Sequence, residues 1–165
     1  MATPCIPDPY AVIACYVLCR PLGDVSVGDI DAVRVKARGL RYADPPLLPK
    51  LLEQYPAILL STAQKQMKMV QPSQAEEVEG LLQCIWRGDY DDALNPESGP
   101  YVHFKGETYL CFGKATLIQG PKEEPAVVYS HKNGDVFVRP LREWAEIVKW
   151  TDGKYRPRFM KEGSV

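Results

Sequence analysis

His103 is one of only two histidines in the 165-residue chain, and it stands where an imidazole can do work. It lies between Val102 and Phe104, directly before Lys105-Gly106, with Tyr101 and Tyr109 near it in sequence. A histidine at the mouth of a hairpin can hydrogen-bond a ligand or exchange protons near neutral pH. The competing account is an imidazole that pins the turn by bonding a backbone carbonyl, because buried polar groups need partners. Arg139, just before Pro140, sets a planar cation beside Phe137, a combination that suits a phosphate, a carboxylate or a base. Its competing account is a salt bridge to Glu124 or Glu107. Tyr101, His103, Lys105, Tyr109, Phe137 and Arg139 are therefore the candidate ligand-binding residues.

Other chemistries find less support. Cys15 and Cys19 fall at i and i+4, and with Cys84, Cys111 or His131 they would complete a tetrahedral zinc site. No CxxC pair accompanies them, and the odd set Cys5, Cys15, Cys19, Cys84 and Cys111 reads as reduced, buried thiols. Neither a metal nor a cofactor is expected. There is no G-x-S-x-G and no phosphate-binding glycine loop, so catalysis would need a spatial cluster, with His103 as the acid or base. Arg34, Arg38 and Arg41, with Lys36, form a basic stripe, but Asp29, Asp31 and Asp44 share the segment and predict an ion-paired, solvated face.

Net charge is −1, which marks neither a nucleic-acid nor a membrane binder, yet the charge is unevenly spread. Residues 1–99 carry nine Lys and Arg against thirteen Asp and Glu, whereas residues 100–165 carry eleven against eight. The basic residues of the second half (Lys105, Lys132, Arg139, Arg142, Lys149, Arg156 and Arg158) alternate with Tyr101, Phe137, Trp150 and Tyr155. That composition suits a module gripping an anionic or nucleobase-containing ligand by stacking and charge.

The elements that must position these residues follow from turn chemistry. Lys105-Gly106, Asn133-Gly134 and Asp152-Gly153 each separate alternating or β-branched runs, which signals two-residue hairpin turns in which Gly supplies the positive φ. Two-residue turns set His103 opposite Thr108, Val128 opposite Arg139, Ser130 opposite Phe137 and Trp150 opposite Tyr155. Tyr129, Val138, Val136 and Val127 then share the core face with His131, while Arg139 and Phe137 lie on the solvent side. Leu141–Val148 reads as a helical turn and a return strand. Five or six short strands of this kind predict a small SH3-like antiparallel β-barrel, since closure removes exposed edges.

The first half reads as helical, making the chain an α+β protein. Helices are expected from Pro9 to Arg20, where the β-branched content leaves a strand open, and from Ser26 as N-cap to Gly39. Further helices are expected over Leu47–Tyr55 and from Pro56 through Met69. The clearest follows Pro72, with Ser73 and Glu76 as a capping box and Val78, Leu81, Leu82, Ile85 and Trp86 on one face. Asp89–Pro100 shows no periodicity and marks the boundary between a helical region, 1–95, and a barrel domain, 96–165. The apolar run Ala11–Cys19 lacks a preceding basic region and reaches about half the length of a membrane span, so a cytoplasmic protein without membrane contact is expected.

The second half also resembles a known family. Tyr101-Val102-His103-Phe104-Lys105-Gly106, then Tyr109, Gly113 and Ala115, Glu124-Pro125-Ala126-Val127-Val128-Tyr129, Val138-Arg139-Pro140-Leu141 and Pro157-Arg158-Phe159 are similar in order and spacing to the bacterial domain of unknown function numbered 1653. The turn between Tyr129 and Val138 is shorter than that family's usual loop, and Phe137 stands where its pattern has Trp. The resemblance implies a stand-alone β module with no assigned activity. From the residues, the expectation is a non-catalytic binding module whose partner is a protein or a small anionic ligand. The alternatives are an RNA- or nucleotide-binding accessory protein and an enzyme using His103. A homo-oligomer is left open.

Overall fold

The computed structural model describes residues 8–18, 20–39, 47–53 and 72–165, which form two compact units meeting in sequence at Arg87 and Gly88. Among the described residues no helix is long and apolar enough to cross a membrane.

The first unit is helical. Helix α1, Pro9–Leu18, buries Tyr10, Ile13, Ala14 and Val17, and the strand left open for this run is not formed. After a 3₁₀ turn at Leu22–Asp24 comes α2, Val27–Gly39. Its N-cap is Ser26, as the sequence implies: the Asp29 N–H donates to Ser26 Oγ (3.1 Å) and the Ser26 N–H donates to the Asp29 carboxylate (3.0 Å). Both bonds satisfy donors that the first helical turn would otherwise leave open. Helix α3, Leu47–Glu53, and helix α4, Pro72–Trp86, complete the unit. The Glu79 carboxylate of α4 accepts the Leu47 and Leu48 N–H groups (3.0 and 2.8 Å), capping α3 from a neighbouring helix. Leu51, Leu82 and Cys84 are buried in the shared core. Arg34 pairs with Asp31 and Asp8, which agrees with an ion-paired face. Arg41, the expected helix Pro56–Met69, the Ser73 cap, Cys5 and Cys19 lie outside the described residues.

The second unit begins with α5, Asp89–Leu94, a short helix where the sequence shows no periodicity. Strands β1 (Gly99–His103), β2 (Thr108–Gln119), β3 (Lys122–Ser130) and β4 (Val136–Pro140) follow, then α6 (Leu141–Trp144), β5 (Ile147–Lys149), β6 (Tyr155–Pro157) and β7 (Phe159–Lys161). Five strands form one antiparallel sheet in the order β4-β3-β2-β1-β7, and β5 and β6 form a separate hairpin. The expected closed barrel is not formed. Strand β4 ends at Pro140, which has no N–H with which to extend a ladder, and α6 covers the inner face where a closing strand would lie. Trp144 and Leu141 of α6 join Tyr101, Cys111, Val127, Tyr129 and Phe159 in the core on that face.

All three expected hairpins exist, and all three are one residue longer in the loop than the two-residue reading. In the first, the Gly106 N–H donates to the His103 carbonyl and the His103 N–H to the Glu107 carbonyl, both at 2.7 Å. Gly134 and His131, with Asp135, repeat that pair of bonds, as do Gly153 and Trp150 with Lys154. Each loop is thus three residues, a turn followed by a glycine at positive φ (97°, 90° and 83°). A two-residue loop would demand positive φ of Lys105, which a long L side chain resists. Asn133 and Asp152 favour the longer loop as well, since each side chain accepts the N–H two residues on (3.1 and 3.0 Å).

One extra loop residue changes the face of every residue on one strand. Val102 pairs with Thr108, Val127 with Arg139, Tyr129 with Phe137, and Lys149 with Tyr155. Val136 and Val138, expected in the core, are 61% and 52% exposed on the outer face. Phe137 and Arg139 come to the inner face beside Tyr129 and Val127. A fourth hairpin, unanticipated, turns at Gly120-Pro121 between Gln119 and Lys122, with Gly120 at φ 61°.

Candidate functional site

The inner face of the sheet carries a continuous aromatic strip. His103 of β1 lies opposite Phe159 of β7, with ring centroids 4.9 Å apart, and touches Phe104 at 4.5 Å. From Phe159 the strip continues to Tyr129 (5.2 Å) and then to Phe137 (5.5 Å). Tyr109 stands at its centre, edge-on to Tyr129, Phe159 and both histidines. Beneath it the Trp144 indole stacks on Phe159 at 4.1 Å with the rings nearly parallel, which fixes the Phe159 plane.

Cations flank this strip. The Arg139 guanidinium lies 5.8 Å from the Phe159 centroid, donates Nε–H to the Tyr129 hydroxyl (3.1 Å) and pairs with Glu143 (3.4 Å). Arg158 and Lys105 lie over Phe104 at 5.5 and 5.8 Å. Arg158 pairs with Glu146, while its buried Nε–H has no acceptor among the described residues.

His103 feels these charges. Burial first, then Arg158, Arg139 and Lys105, push its pKa down to about 4. The imidazole is therefore neutral at pH 7. Its Nδ1 accepts the Lys105 N–H (3.4 Å), so the ring proton belongs on Nε2. His103 does hold its turn, but by accepting a backbone N–H rather than by donating to a carbonyl. His131 repeats the arrangement, accepting the Asn133 N–H at 3.4 Å. Tyr109 donates its hydroxyl proton to Glu107 (2.5 Å), and that bond, with burial, pushes its pKa up to about 12.

The sequence candidates thus divide. His103, Lys105, Tyr109, Phe137 and Arg139 gather on or beside one strip, Phe137 and Arg139 reaching it through the longer turn. Tyr101, buried like Tyr129 and Phe159, lies against Trp144 away from His103 and Arg139, and its hydroxyl accepts the Glu97 N–H. Tyr101 and Phe159 instead border a cavity of about 330 Å³ with Asp89, Asp92, Glu97 and Lys161, which neither His103 nor Arg139 lines. Phe104, Tyr129, Phe159 and Arg158 also form or border the strip and are not among the sequence candidates. Their one signal was the aromatic and basic residue types in the motifs flanking His103 and Arg139. The salt-bridge partner of Arg139 is Glu143, because Arg142 takes Glu124 and Tyr109 takes Glu107. Cys15, Cys84 and Cys111 are free thiols, burial raising the pKa of Cys15 and Cys111, and no group of three potential metal ligands occurs among the described residues.

A family model described as "Protein of unknown function (DUF1653)" matches residues 99–161. A crystal structure of a DUF1653 protein from Bordetella bronchiseptica is 34% identical in sequence over 42% of this chain and 91% of its own, with a TM-score of 0.35. Residues 99–161 belong to the DUF1653 family. No curated protein matches the chain. The DUF1653 region takes in β1 through β7, and with them the whole aromatic strip and its three flanking cations.

Proposed function

We propose that the DUF1653 unit is a non-catalytic binding module for a small planar anion, a ring bearing a carboxylate or phosphate. The observation that carries this reading is the environment of His103, where burial first, and then three cations bordering an aromatic strip, disfavour the imidazolium. An anion placed there would meet Arg139, Arg158 and Lys105, and its ring would lie along the half-buried Phe104 and His103. The unpartnered Arg158 Nε–H supports the same ligand, since a buried donor without an acceptor is costly to keep. An acid or base role for His103 draws less support, because a group titrating near 4 is a weak base at neutral pH and is not present as the imidazolium that a general acid requires.

Titration of the full chain with phenyl phosphate, inorganic phosphate and phenol, followed by NMR at the two histidines, tests the reading. Phenyl phosphate should bind more tightly than either fragment and raise the His103 pKa. Arg139→Gln and Arg158→Gln should each weaken it about tenfold, the worth of one charge-assisted contact. No perturbation at millimolar phenyl phosphate, or unchanged binding in both variants, would refute it. Oligouridylate binding with a steep salt dependence would favour the nucleic-acid alternative instead.

A further inference from the structure

The two edges of the five-stranded sheet are unlike. Strand β7 is three residues long and ends on the exposed, charged Lys161, the usual protection for an edge. Strand β4 presents Val136, Phe137 and Val138, exposed by 61%, 41% and 52%, three consecutive apolar residues ahead of Arg139 and Pro140. On the outer face Val136 pairs with Ser130, which pairs in turn with Leu110, itself 47% exposed.

The backbone of this edge is available in a defined pattern. The His131 N–H donates to the Asp135 carbonyl (2.9 Å), and antiparallel pairs alternate between bonded and non-bonded. Phe137 and Arg139 therefore direct their backbone groups toward β3, and Val136 and Val138 direct theirs outward.

The sequence of the edge complements itself. Asp135-Val136-Phe137-Val138-Arg139 is apolar at its centre and oppositely charged at equal distances on either side. Antiparallel pairing about Phe137 sets Val136 against Val138 of a second copy, the two residues whose N–H and C=O groups face out. It also sets Asp135 against the partner's Arg139, twice by symmetry. A two-fold axis at Val136 or Val138 would place Phe137 against a charged residue and bring no opposite charges together.

We infer that β4 is the interface of a two-fold homodimer, in which the sheets of two chains join edge to edge with Phe137 on the axis. The inner aromatic strips of the two copies then meet across that axis.

Sedimentation velocity on the full chain from about 5 to 500 μM tests this, a range spanning micromolar association. The expected result is a concentration-dependent dimer. Asp135→Lys sets like charges opposite one another at two places and Val138→Lys charges the apolar edge, and each should weaken association about tenfold or more. Both side chains are exposed, so circular dichroism should show the fold intact; should Val138→Lys misfold, Asp135→Lys carries the test alone. Under oxidation Phe137→Cys should form a disulfide-linked dimer, since a non-hydrogen-bonded pair on the axis brings the two sulfurs within reach. Ile118→Cys, on the exposed β2–β3 hairpin, should not. A chain monomeric throughout, a dimer indifferent to Asp135→Lys, or equal cross-linking by both cysteine variants overturns the inference.

Discussion

The titration of His103 is the most direct test of the site's electrostatics. Its pKa of about 4, against an ordinary 6.5, reflects burial and the three nearby cations. With only two histidines in the chain, the imidazole C–H signals in a proton NMR titration can be assigned with a single His131→Gln variant. His103 should titrate well below 6.5, and Arg158→Ala or Arg139→Ala should move it upward, Arg158→Ala by more. The shift also links to stability. Between the folded and unfolded pKa values the unfolded chain holds a proton that the folded chain refuses, so the contribution is complete above 6.5 and is lost as the pH falls toward 4. Two and a half pKa units set a ceiling of about 3.4 kcal/mol, and discounting for the part-exposed ring leaves about 1–2 kcal/mol. Urea denaturation of wild type and His103→Gln at pH 7 and pH 4.5 measures it: the variant should lose that much less stability on acidification. A His103 titrating at 6 or above, or parallel losses in the two proteins, would refute the reasoning and remove the main support for the anion reading.

Two further predictions probe the scaffold. Trp144→Ala removes a fully buried indole stacked on Phe159, and should cost about 3–5 kcal/mol by urea denaturation while freeing the Phe159 ring, visible in its NMR line shapes. Gly134→Ala places a Cβ where nothing lies within 4 Å, so the only penalty is the backbone at φ 90°, about 1–2 kcal/mol by the same assay.

Much of the outline was legible in residue order. Ser26 and Asp29 announced the start of α2, and Val78, Leu81, Leu82 and Ile85 announced the buried face of α4, because capping and helical periodicity are local properties. The three glycines likewise marked three reversals, and the aromatic and basic residues around His103 and Arg139 marked the residues that gather on or beside one strip. What a glycine does not reveal is how many residues its loop holds. Positive φ serves a two-residue turn and the last position of a three-residue turn alike, and side chains alternate every residue, so that single ambiguity decides whether Val138 or Phe137 faces Tyr129.

The rest belonged to the tertiary structure. Phe159 meets His103 only because β7 returns to β1 across more than fifty residues of chain, and the stack on Trp144 exists only because α6 folds over the inner face. The depressed pKa of His103 likewise needs Arg139 and Arg158 brought in from distant strands, and no local pattern encodes a field summed in space. Closure failed for a reason equally non-local: a helix covered the face that a closing strand would have covered, leaving β4 as an open edge. Residue types set the available chemistry, and long-range strand pairing determined which of them share a surface.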